Sequence, residues 1–229
     1  MKKLFIIQIS IITALSLIIC LAYISVVLWA YNLDFYRSEY AKNGTYEAVN
    51  MSESELMRVT SHLTDYLRSK TDDLQLEAVV GGEARLFFSE RELLHMIDVK
   101  IIIATFAKMF YLSLSLSACG VIILVRQKRL RIFAKTVLIV IGVFAGLVSA
   151  IAVAAAADFD STFTVFHEVF FSNELWLLDP NADLLINIVP EQFFMDIAAR
   201  IAISFTALLA TLCGLLCFNI LYQKQKTQC

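Results

Sequence analysis

Ile122-Ile123-Leu124-Val125-Arg126-Gln127-Lys128-Arg129-Leu130-Arg131-Ile132-Phe133 decides how this chain is built. Four cations stand between two apolar runs, Ile101–Val125 before them and Ile132–Ala157 after them. Each run has the roughly 20 residues that a helix needs to cross a hydrocarbon core. The link between them has room only for a tight turn. The pair reads as a membrane-spanning helical hairpin, and the positive-inside rule holds its basic turn in the cytoplasm.

Two further runs, Leu4–Tyr31 and Ile197–Tyr222, extend the pattern to four spans. Lys2, Lys3, Lys135, Lys224 and Lys226 fall on the same side as the basic turn, which places both termini in the cytoplasm. All 21 acidic residues lie in the two remaining segments, 32–100 and 158–196, which are thereby extracytoplasmic. His95 and His167 lie there too. A chain of 229 residues that is 59% hydrophobic and 17% charged, with mean hydropathy +0.72, is an integral membrane protein. Its charge is sorted by side, and nothing in it favours a nucleic-acid partner. The first run opens like a signal peptide, but it exceeds an h-region of roughly 7–15 residues and lacks a small-residue cleavage site, so it is expected to be retained. Cys20, Cys119, Cys213 and Cys217 fall in spans and Cys229 in the cytoplasmic tail. An extracytoplasmic disulfide framework is excluded, and a thiol nucleophile on that side is not expected. The expected fold is an all-α integral membrane protein, one domain over 1–229, with spans at about 4–31, 101–125, 132–157 and 197–222. Segments 32–100 and 158–196 would form a small α+β extracytoplasmic cap.

Within the cap, Ser52-Glu53-Ser54-Glu55 is a capping-box pattern, and Leu56, Val59, Leu63 and Leu67 follow at helical spacing. They predict an amphipathic helix over 53–69, with His62 on it as an ordinary polar residue. Leu74–Val80 and Glu83–Phe88 flank Gly81-Gly82, a hairpin signal. Ser89 and Glu92 form a second capping box, and Phe88 with Leu93 has hydrophobic-staple spacing. They predict a helix from Glu90 that continues unbroken into the second span. His95 then stands six residues before Ile101, about 9 Å along the axis and at glycerol depth. Arg91, His95 and Asp98 recur at i, i+4 and i+7 and share one face. Gly142, Gly146 and Ala154–Ala157 on the third span predict the tight seam of the bundle. Phe163, Phe166, His167, Phe170 and Phe171 predict a short aromatic helix at the interface, with Trp176 anchored at headgroup level. Asp179-Pro180-Asn181-Ala182-Asp183 is a turn, and Pro190 starts the fourth span. Arg200, four residues after Asp196, is expected to pair with it, and Lys108 to snorkel.

The chemistry is narrowed by what is missing. There is no Gly-x-Ser-x-Gly elbow, no His-Glu-x-x-His and no phosphate-cradling glycine loop. What remains is His95 with Asp98, and His167 with Glu168, Asp179 and Asp183. A single interfacial histidine is ordinarily a polar residue bonded to backbone. Two on the same side, each in an apolar-aromatic stretch at a membrane boundary, point to proton transfer, for which imidazole is best matched near neutral pH. A metal site of two histidines and a carboxylate ranks below this, because the local two-ligand spacing is missing. Two other readings stay open: a metal-dependent membrane hydrolase with His95 and His167 as ligands, and a non-catalytic sensor or accessory subunit presenting its acidic loops to a partner.

Phe88-Ser89-Glu90-Arg91-Glu92-Leu93-Leu94-His95-Met96-Ile97-Asp98-Val99-Lys100 resembles a signature of the bacterial lipoprotein intramolecular transacylase family. So does the stretch from Phe166-His167-Glu168 through Trp176, Asp179-Pro180-Asn181-Ala182-Asp183 and Pro190-Glu191-Gln192-Phe193-Phe194. The likeness covers nearly the whole chain. It implies an enzyme of the bacterial cell membrane that moves the sn-2 acyl chain of a diacylglyceryl lipoprotein onto the α-amino group of that lipoprotein's N-terminal cysteine. The expected partners are the diacylated lipoprotein and membrane lipid, with no cofactor and no metal. Catalysis would fall to His95 and His167 at the extracytoplasmic interface. Asp98, Asp179 and Asp183 would orient them, and Trp176, Phe170 and Phe171 would line the acyl path. Because nucleophile and ester belong to one molecule, positioning supplies much of the rate, and no acyl-enzyme is obligatory.

Overall fold

The computed structural model describes residues 2–226. Cys229, assigned above to the tail, lies outside the described residues, as do the side chains of Lys2, Ala155, Ala156, Lys224 and Lys226. In chain order the elements are α1 (Lys2–Ala30), α2 (Leu33–Lys42), α3 (Thr45–Ala48), α4 (Glu53–Leu67), β1 (Glu77–Val80), β2 (Glu83–Leu86), α5 (Glu90–Arg126), α6 (Leu130–Ala157), α7 (Phe159–Phe170), α8 (Leu185–Ile188) and α9 (Glu191–Lys226). Four helices are long and apolar enough to cross a membrane, over Lys3–Ala30, Glu90–Arg126, Leu130–Ala154 and Glu191–Phe218. The chain is an α-helical integral membrane protein with a small two-stranded sheet, as its apolar runs predict. Its residues divide into two compact units. One comprises 1–25, 107–163 and 202–229, the other 26–106 and 164–201.

In the first unit, Ile6, Ala14, Ile18, Leu124, Phe133, Val137, Ile141, Phe205 and Leu209 form the buried core. The hydroxyls of Ser10 and Thr13 return to the carbonyls of Ile6 and Ile9, so these polar groups stay bonded inside an apolar bundle. The close approach falls at Gly120, where an added Cβ would stand 1.9 Å from Thr13 Oγ1. This corrects the expected seam: Cβ atoms at Gly142 and Gly146 would meet nothing within 4 Å. α6 instead buries Phe133, Ala134, Val137 and Ile141 and leaves Gly142, Gly146, Ala154 and Ala157 exposed. Large side chains bury more area per turn, so they, not the glycines, select the packed face. Gly120→Val is expected to cost about 1–3 kcal/mol through overpacking. It should lower the detergent melting temperature, whereas Gly142→Ala and Gly146→Ala leave it in place. Equal melting of all three variants would refute this seam.

The second unit is built on the cap signals. Ser52 Oγ accepts from Glu55 N–H at 3.3 Å and starts α4. The reciprocal half of that capping box is absent, because Glu55 Oε1 accepts instead from Val79 N–H at 3.0 Å. Glu55 is also gripped by Arg58, and these donors, Arg58 foremost, draw its carboxyl down to about 2. α4 is thereby tied to β1 through a carboxylate that stays ionised. Gly81 and Gly82, at φ 64° and 86°, turn the hairpin with Val80 opposite Glu83. The strands are shorter than the expected 74–80 and 83–88. Gln75 takes over the ladder at the base, its Oε1 accepting from Phe88 N–H and its Nε2 donating to Phe88 O. Phe35, Tyr36 and Tyr40 of α2 pack on Phe193 of α9, and Leu56, Val59 and Leu63 of α4 complete the core with Phe87, Phe88 and Ile188. The expected Asp196–Arg200 pair does not form. Asp196 is taken by Lys42 and Gln192, and the Arg200 guanidinium lies over the rings of Trp29 and Phe35 at 5.0 and 5.3 Å.

Candidate active site

α5 begins with a complete capping box. Ser89 Oγ accepts from Glu92 N–H at 3.2 Å, and Glu92 Oε2 accepts from Ser89 N–H at 2.6 Å. Glu92 is fully buried, and its other oxygen accepts from Leu185 N–H. Ser89 Oγ donates to Asp183 Oδ1 at 2.7 Å, and Asp183 Oδ2 accepts from Asp179 N–H at 2.8 Å. The start of α5 and the 179–185 turn therefore share one hydrogen-bond network. That network sets where His95, one turn further on, points.

Arg91, His95 and Asp98 share a face of α5, as their spacing predicts. Arg91 Nη2 donates to Glu174 O at 2.6 Å, and Asp98 Oδ2 accepts from Asn173 Nδ2 at 2.9 Å. The two flanking residues thus hold one loop across His95. His167 comes from α7, which Asp158 caps through Ser161 N–H at 3.0 Å, and it is the one buried residue of that helix. The two imidazole centroids are 6.4 Å apart, and the rings are 8% and 7% exposed. Phe171 touches both, 5.1 Å from His95 and 5.5 Å from His167, and Trp176 stacks on His167 at 4.7 Å and 25°. His95 Nδ1 is buried and finds no hydrogen-bond partner among the described residues. Such an atom costs about 1–3 kcal/mol, and unpaired buried polar groups call for a functional account. Aromatic walls, a buried imidazole pair and an unpaired ring nitrogen suit proton transfer on a largely apolar substrate.

Of the expected site residues, His95, His167, Phe171 and Trp176 come together. Phe170 stands one layer out, against Phe166 and Phe106 at 4.7 and 5.9 Å, and is 39% exposed. The three carboxylates expected to orient imidazoles also accept from other donors. Asp98 holds Asn173, Asp183 spends both oxygens on Ser89 and Asp179, and Asp179 Oδ1 closes its own turn on Asn181. Turn amides and a neighbouring amide side chain supply donors at fixed positions, so these carboxylates shape loops around the histidines. Glu168 is exposed on α7. Among the described residues, no group of three or more histidine, cysteine, aspartate or glutamate side chains could hold a metal ion.

The model of the family described as lipoprotein intramolecular transacylase Lit matches residues 11–194. The chain belongs to the Lit family. Lit family membership makes it an enzyme, an intramolecular transacylase that modifies lipoprotein in a membrane. No curated protein matches it in sequence. Solved structures similar to it include the membrane-integral Lit of Bacillus cereus, determined in meso, with 22% identity, TM-score 0.79, and 98% of this chain and 99% of that chain covered. Two histidine variants of that protein are similar as well. The arginine variant has TM-score 0.77 with 99% and 96% covered, and the alanine variant TM-score 0.77 with 98% and 97% covered, both at 22% identity. At that identity the likeness establishes the fold. Ser89, Glu92, Arg91 and Asn173 bond around the candidate site, and sequence reasoning gave them no role in it. The capping box and the i, i+4, i+7 face were visible signals, but the partners lie 75 to 94 residues away in sequence.

Proposed function

We propose that this Lit family member moves the sn-2 acyl chain of a diacylglyceryl lipoprotein onto the α-amino group of the same molecule's N-terminal cysteine. His95 and His167 carry the proton traffic. The observation that supports this most is the buried imidazole pair, 6.4 Å between centroids, with Nδ1 of His95 unpaired. That separation suits two hydrogen bonds of about 2.8 Å on either side of one tetrahedral carbon. An α-ammonium has a pKa of roughly 7.7–8.0 and must lose a proton before it attacks. That proton leaves to solvent, and one imidazole then takes a second proton from the same nitrogen as the C–N bond forms at the ester carbonyl. As the C–O bond breaks, the other imidazole protonates the departing glycerol oxygen, and the pair resets once the proton has crossed between the rings. The product is an amide and a free sn-2 hydroxyl, with no water consumed. Phe171 and Trp176, and the more exposed Phe170, favour an acyl chain beside the pair. The basic turn at 126–131 and the basic termini favour cytoplasmic ends, which puts the histidines on the extracytoplasmic side, in reach of exported lipoprotein and membrane lipid.

The test is expression in a bacterium that makes only diacylated lipoproteins, with tandem mass spectrometry of their N-terminal lipopeptides. The expected result is conversion of free α-amines to N-acylated ones at constant total acyl count. Well-expressed protein with unchanged lipopeptides would overturn the reading.

A further inference from the structure

Resting on the transacylase reading above, we infer that Arg91 and Asp98 are positioning residues: through Glu174 and Asn173 they hold Trp176 flat against the His167 ring. The loop after α7 keeps turn bonds of its own, Leu177 N–H to Glu174 O and Leu178 N–H to Trp176 O, and is joined to α5 by side chains. Ser172, Asn173 and Glu174 are exposed, and Trp176 is half-buried. Three bonds converge on two successive residues. Arg91 Nη2 donates to Glu174 O at 2.6 Å, Asn173 Nδ2 donates to Asp98 Oδ2 at 2.9 Å, and Asn173 Oδ1 accepts from Leu175 N–H at 3.0 Å. Asn173 thus links α5 on one side to the backbone leading into Trp176 on the other. The indole lies 4.7 Å from His167 at 25°. The last torsion of a histidine is broad, so it does not by itself fix the plane of the ring. A flat neighbour held from α5 fixes the plane of the ring.

This role separates cleanly from an electrostatic one. A clamp at Asp98 needs an acceptor oxygen for Asn173 Nδ2, which an amide also offers. A charge partner for His95 needs the carboxylate. The chain has two tryptophans, so Trp29→Phe in the full-length protein leaves Trp176 as the sole reporter and keeps an aromatic ring under Arg200. Two quantities are measured in detergent micelles. One is the initial rate on a diacylglyceryl-cysteine lipopeptide. The other is Trp176 fluorescence followed across pH, since an imidazolium in contact with indole quenches it.

Asn173→Ala and Asp98→Ala are expected to lose on the order of tenfold to a hundredfold in rate, together with the pH-dependent quench. Asp98→Asn should stay within about threefold of the parent, because its acceptor persists, and should keep the quench. Arg91→Ala should behave as Asn173→Ala, and it carries the test if that variant does not fold. Asp98→Asn as slow as Asp98→Ala overturns the clamp in favour of charge. So does any of the three alanine variants keeping either the full rate or the quench. A parent protein that makes no N-acylated product refutes the transacylase reading instead, and the fluorescence still decides the clamp.

Discussion

His95→Ala and His167→Ala are each expected to lower N-acylated lipopeptide by about a hundredfold to ten-thousandfold, the range for removing a positioned acid or base. The double variant should fall little further than the worse single one, because groups that act on one proton path are strongly non-additive. Loss of activity can be kept apart from loss of fold at His95. Its Nδ1 has no partner among the described residues, so His95→Phe leaves no donor or acceptor stranded at that atom. That variant should melt at or near the parent temperature while making no N-acylated product. Mass spectrometry of lipopeptides and a melting curve in the same detergent read both sides. Parent-level conversion by either histidine variant would remove the pair from the mechanism.

Glu92→Ala should give a large loss of stability in the 26–106 and 164–201 unit. Its fully buried carboxylate accepts from the N–H groups of Ser89 and Leu185, and alanine strands both donors in a buried site. Unsatisfied buried N–H groups cost about 1–3 kcal/mol each. The sum is a few kcal/mol, a large part of the stability of an ordinary domain. Glu92→Gln keeps one acceptor but turns an amide group toward a backbone donor, so it should fall between the two. Thermal unfolding in detergent checks the order parent, glutamine, alanine. A melting temperature unmoved by Glu92→Ala would mean that this network does not hold the start of α5. Activity should fall as well, since His95 stands one turn beyond.

Much of the site was legible along the chain because its signals are local. The N-cap at Ser52 and the capping box at Ser89 depend on three-residue spacing, and the face shared by Arg91, His95 and Asp98 depends only on helical pitch. The Gly81-Gly82 turn needs positive φ at both positions, which glycine supplies without cost. The carboxylates were harder. Asp98, Asp179 and Asp183 stand near the histidines in sequence, yet their oxygens face Asn173, Asn181, Ser89 and the Asp179 amide. A carboxylate accepts from whichever donor the fold delivers, and sequence distance says nothing of that delivery. The same holds for Asp196, which meets Lys42 from α2 rather than Arg200 on its own helix.

The sequence by itself determined the four membrane helices, since the length of an apolar run and the period of a helix are properties of consecutive residues. It also marked His95 and His167 as the residues with chemistry to offer. Only the tertiary structure decided that the two rings stand 6.4 Å apart with Phe171 touching both and Trp176 on His167. It alone placed the tight seam at Gly120 and Thr13, and it alone made Arg91 and Asp98 the holders of the Trp176 loop. These are pairings between segments far apart in the chain. Side-chain volume and donor geometry choose among many such pairings only once the helices are packed.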